Sequence, residues 1–99
     1  MSIVILGGNE RMERRYKDLC EQHKCQVKVF AQPIGNLKRK IGSPDLMIFF
    51  TNTMSHKMVM SAMHELKGKD TVIARSQTSS VSALKNILNT HAPLAEPSA

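Results

Sequence analysis

The chain has 99 residues, room for one domain and not for two. Fourteen Lys and Arg against eight Asp and Glu give a net charge of +6 and a pI near 9.7, which favours anionic partners without choosing among phosphate, carboxylate and nucleic acid. No apolar run is long enough to span a bilayer, and two cysteines, Cys20 and Cys25, make neither a disulfide framework nor a zinc site and read as reduced core residues.

From Met1 and Ser2 the chain enters a strand-like run without a basic segment or cleavage site, which predicts a cytoplasmic protein. Residues 3–6 (Ile-Val-Ile-Leu) form the expected first strand, stopped by Gly7 and Gly8. A helix is predicted from about Glu10 to Lys24, because Met12, Tyr16, Leu19, Cys20 and His23 fall on one stripe. Its other faces pair Glu10 with Arg14, Glu13 with Lys17, and Arg14 with Asp18 at i,i+4 spacing. Residues 26–31 are the second strand. Pro33 suits the first turn of a short helix whose buried side is Ile34, Leu37 and Ile41 and whose end is Gly42.

Residues 46–50 (Leu-Met-Ile-Phe-Phe) are apolar throughout, as a central strand covered on both faces requires. Ser55 then caps a helix starting at His56, with Val59, Ala62, Met63 and Leu66 inward and Gly68 closing it. Residues 71–74 make the fourth strand. A last helix buries Val81, Leu84, Ile87 and Leu88, ahead of Pro93 and a flexible tail over residues 92–99. Strands alternating with helices imply right-handed βαβ crossovers. The prediction is a single α/β domain over residues 1–91, a small doubly wound, Rossmann-like parallel sheet in the order 2-1-3-4 with helices on both faces.

Such sheets bind ligands beyond the carboxyl ends of their strands, where the strand order reverses. Three segments meet there: Gly7, Gly8 and Asn9 with Arg11; Thr51, Asn52 and Thr53 with Ser55 and His56; and Arg75, Ser76 and the hydroxyl-rich residues up to Ser80. The glycine pair allows a tight turn that could offer backbone N–H groups to an anion, but it completes neither the dinucleotide fingerprint nor the phosphate loop. His56 stands at a helix start, where the macrodipole disfavours an imidazolium and leaves the form suited to metal ligation. Met60 and Met63 follow it on the same helix side. His23, His64 and His91 read as ordinary. Arg75, directly after a buried strand, aims at the crevice.

No Gly-x-Ser-x-Gly elbow and no pair of strand-end carboxylates is present, so the reading is of a binding module and not an enzyme. A phosphotransfer role is a poor third, since no Cys, His or Asp follows the first strand. Four aromatic residues, with Phe30, Phe49 and Phe50 expected inside, leave no stacking platform, which weighs against nucleic acid despite the charge. Two readings of the rim stand: an anionic cofactor at His56, or a nucleotide or phosphate ligand at Gly7, Gly8, Thr51 and residues 76–80.

The strand with Gly7, Gly8 and Asn9, then Arg11, Arg14 and Tyr16, then residues 51–56 (Thr-Asn-Thr-Met-Ser-His), then Arg75 and Ser76, resembles the bacterial family catalogued as domain of unknown function 2325, from Ile3 to about Leu88. The resemblance implies haem binding in a homodimer. It would make His56 the axial metal ligand, with Arg11, Arg14 and Arg75 on the propionates. Met54, Met58, Met60 and Met63 would form a soft apolar wall, and the sixth ligand would come from a partner chain or water.

Overall fold

The computed structural model describes residues 1–31 and 41–91. Strand β1 (Ser2–Gly7) is followed by a 3-10 turn (Glu10–Met12) and helix α1 (Glu13–Gln22). Then come β2 (Gln26–Phe30), β3 (Leu46–Phe50), a second 3-10 turn (Thr51–Thr53), α2 (His56–Leu66), β4 (Val72–Ser76) and α3 (Val81–His91). The predicted helix from Pro33 lies outside the described residues, apart from Ile41, and so does the predicted tail.

All four strands are parallel, in the order β2-β1-β3-β4. At the centre Ile5 stands opposite Val29 on one side and Ile48 on the other, and Ile48 stands opposite Ala74. Side chains alternate across a strand, and here the alternation sorts the core in two. Ile3, Ile5, Leu46, Ile48 and Phe50 pack with Tyr16 and Cys20 of α1 and Leu84 and Leu88 of α3. Val4, Leu6, Met47 and Phe49 pack on the opposite face with Ile41 and with Ala62 and Leu66 of α2. The two central strands are therefore apolar at every inward position, whereas β2 and β4, at the edges, are only half covered.

Local chemistry sets the element ends. Ser55 Oγ accepts the Met58 N–H at 3.1 Å and starts α2 at His56, as predicted, while Ser80 Oγ takes the Ala83 N–H at 3.1 Å ahead of α3. Asn9 Oδ1 accepts the Arg11 N–H at 2.9 Å, so the first turn of the predicted helix tightens to 3-10 form and α1 proper begins at Glu13. α1 stops two residues early. Lys24, with φ of 57°, turns the chain left-handed, the Cys25 N–H reaches Cys20 O at 3.0 Å, and the Lys24 N–H reaches Glu21 O at 2.8 Å. That pair of bonds is the Schellman ending.

The fourth strand differs from its expected bounds. It runs from Val72 to Ser76, because the ladder with β3 continues through Phe49 opposite Arg75 and Phe50 opposite Ser76. Arg75 thus belongs to the strand and does not follow it. No described helix is long and apolar enough to cross a membrane.

Candidate functional site

The carboxyl rim of the sheet is assembled from the turn after β1, the 3-10 turn after β3 and the loop after β4. Both glycines of the first turn have positive φ, 85° at Gly7 and 93° at Gly8. A Cβ on Gly7 would lie 2.7 Å from Thr53 Oγ1 and 2.8 Å from Phe50 O, and one on Gly8 would lie 2.8 Å from the Tyr16 ring. The glycines therefore let two neighbouring segments close over the strand end. Their amides follow suit: the Gly8 N–H donates to Thr53 Oγ1 at 2.6 Å, and Thr53 Oγ1 donates to Phe50 O at 3.0 Å. The Asn9 N–H donates to Tyr16 Oη at 3.3 Å. The glycine turn is read from sequence as offering N–H groups to an anion; in the fold the N–H groups of Gly8 and Asn9 are engaged internally.

Tyr16 ties this turn to the far loop. Its ring is wholly buried, 5.3 Å from that of Phe50, and its hydroxyl donates to Ser79 O at 2.6 Å. The expected apolar stripe of α1 included Tyr16, but the role of its hydroxyl is missed from sequence. The available signal was chemical: a phenol on a core stripe must find a partner for its O–H. The loop after β4 is similarly self-contained, with Ser76 Oγ donating to Thr78 O at 2.7 Å and Thr51 Oγ1 donating to Ser76 O at 3.1 Å.

His56 is exposed at the first position of α2. Met60 and Met63 continue its side of the helix one and two turns on; Met60 is 56% exposed, and Met63 is partly buried against the core. Arg75 reaches this same side, its Nη2 lying 3.6 Å from Met63 Sδ. The structure thus places exposed Met60, partly buried Met63 and exposed Arg75 on one side below His56. Met54 and Met58 pack, like Met63, against the core cluster under α2.

Arg11 and Arg14 are not part of that gathering. They line an open groove of about 340 Å³ with Glu10, Glu13 and Lys17, on the sheet face that carries α1, opposite α2. Of the predicted pairs on this helix, Glu13 and Lys17 form an exposed ion pair at 3.2 Å. A second hollow, of about 320 Å³, lies at the other end of the sheet among Pro44, Asp45, Lys69 and Asp70, so neither occupies the expected crevice. Asn52 is exposed on the turn before α2, and Ser55 is spent on the cap. Among the described residues no three His, Cys, Asp or Glu side chains converge as a metal cluster.

No curated protein and no solved structure matches the chain. The profile of the bacterial family described as "uncharacterized protein conserved in bacteria (DUF2325)" matches residues 2–91, and the chain belongs to that family.

Proposed function

We propose that the chain is a non-enzymatic cytoplasmic module that binds an anionic cofactor, specifically haem, with His56 as axial ligand in a homodimer. The observation that carries this reading is the line from exposed His56 and Met60 through partly buried Met63 to exposed Arg75, with Met60 56% exposed and Arg75 Nη2 beside Met63 Sδ. The residues fit the group. An exposed imidazole offers one axial nitrogen, the thioethers offer a soft apolar surface, and a guanidinium matches a propionate. Haem held there would contribute a redox-active iron. One chain would face a planar ligand from one side only, so a second copy would cover the other. The net charge of +6 favours a dianionic cofactor.

The alternative, a sensor of nucleotide or phosphate at the strand-end loops, has less support, because the Gly8 and Asn9 N–H groups donate to Thr53 and Tyr16 and the Thr51 and Ser76 hydroxyls donate to the carbonyls of Ser76 and Thr78.

Titration of the purified protein with hemin tests the first reading. The expected result is a Soret shift that is absent in His56→Ala. No shift, or an identical one in the variant, removes haem at this site. Thermal stabilisation by inorganic phosphate that is lost in Arg75→Ala would favour the alternative.

A further inference from the structure

The two cysteines play no part in the rim, yet the end of α1 brings them together. Cys20 stands three places before the helix cap and Cys25 two places after it, the two positions whose side chains meet in a Schellman ending. The 3.0 Å bond from the Cys25 N–H to Cys20 O fixes the backbones side by side. Disulfides span roughly 4.4–6.8 Å between α-carbons, a separation that backbones joined by such a bond can reach. Both side chains belong to one core cluster, Cys20 fully buried and Cys25 6% exposed, and both are free thiols. The Cys25 Sγ–H points to His23 O at 3.3 Å, a contact within the same turn.

We propose that Cys20 and Cys25 are a redox-sensitive pair, closing to an intrachain disulfide when the protein meets a low-molecular-weight disulfide such as oxidised glutathione. Cys25 is the entry point, being the one with any exposure. Burial and the neighbouring sulfur push the Cys20 thiol up to about 12, which leaves it a poor first nucleophile. The Cys25 thiolate attacks one glutathione sulfur, breaks the S–S bond and releases one glutathione thiol. Cys20 sulfur, losing its proton, then attacks Cys25 Sγ and displaces the second glutathione, which leaves as a thiol. The protein gives up two S–H hydrogens, the glutathione disulfide takes up two electrons and two protons, and one protein S–S bond forms. The bond staples the last turn of α1 to the start of β2, replacing a frayable helix end with a covalent one.

The test uses the intact wild-type chain, held in oxidised glutathione, quenched with an alkylating agent in denaturant and weighed. The expected product has lost the mass of two hydrogens, takes up no alkyl group, yields one peptide linking Cys20 to Cys25, and returns to two alkylatable thiols with dithiothreitol. Cys20→Ala should stop at a glutathione adduct on Cys25, and Cys25→Ala should remain unreacted. Two free thiols after prolonged exposure would overturn the proposal. So would a glutathione adduct on the wild type that never closes, or disulfide-linked dimers in place of the internal bond.

Discussion

Replacing Gly7 by alanine separates backbone strain from close packing, because Gly68 provides a strain-only control. Gly7 has φ of 85° and Gly68 has φ of 82°, so an L side chain is disfavoured equally at both. Their surroundings differ. The Cβ of Ala at 68 meets nothing within 4 Å, whereas at 7 it meets Thr53 Oγ1 at 2.7 Å, Phe50 O at 2.8 Å and Met54 Cγ at 2.9 Å. One of these is backbone of a buried central strand and cannot yield locally. Strain alone costs about 1–2 kcal/mol, partly offset by the stiffer unfolded chain, so Gly68→Ala should lose about 1 kcal/mol. Forced overpacking adds about 1–3 kcal/mol, which puts Gly7→Ala at about 2–4 kcal/mol. In a domain of this size each kcal/mol moves Tm by about 4–8 °C, so the two variants should separate by at least about 4 °C. Urea and thermal unfolding followed by circular dichroism measure both. Equal losses at the two positions would refute the argument that Gly7 exists to let the Thr53 turn close over β1.

Three other outcomes follow from the same geometry. Tyr16→Phe leaves Ser79 O and the Asn9 N–H without their shared hydroxyl and should cost about 1–3 kcal/mol, with faster amide exchange at Asn9 in hydrogen-exchange NMR. Arg75→Ala removes an exposed side chain, so stability should change by no more than about 0.5 kcal/mol while hemin affinity, read by Soret titration, falls about tenfold. The Cys20 thiol is raised from 9.0 to about 12 in the fold, so the folded state holds a proton that the unfolded chain has released between those values. That contribution is complete below pH 9 and is lost as pH rises through 12, at up to about 1.4 kcal/mol per pH unit. Cys20→Ala should therefore show a shallower alkaline loss of stability in urea titrations at pH 8 to about 11.

The strand order and the face assignments were legible because hydropathy carries them. The unbroken apolar run of β3 and the Ser55 cap of α2 are local signals, and both elements begin where the sequence says. β4 was drawn too short because its last two residues are polar. Their strand conformation comes from ladder bonds to Phe49 and Phe50, which local hydropathy does not contain. The rim was legible as a place and less so as a set of partners. Tight turning at Gly7 and Gly8 could be read directly. The acceptor of the Gly8 N–H lies 45 residues away and that of the Tyr16 hydroxyl 63 residues away, distances over which a single sequence carries no pairing information. The grouping of Arg75 with Met63, and the separation of Arg11 and Arg14 onto the other face, likewise depend on which way alternate strand residues and helix faces point after packing.

The uneven cover of the sheet has a dynamic consequence. β1 and β3, buried on both faces, can expose their amides only when the whole domain opens, whereas β4 has one strand neighbour and Val72 at 48% exposure. Local opening should therefore concentrate at the two edges, and Arg75 rides on one of them. The side chain proposed to grip a ligand sits on an edge strand of the sheet, so it can adjust to what it meets while β1 and β3 stay closed.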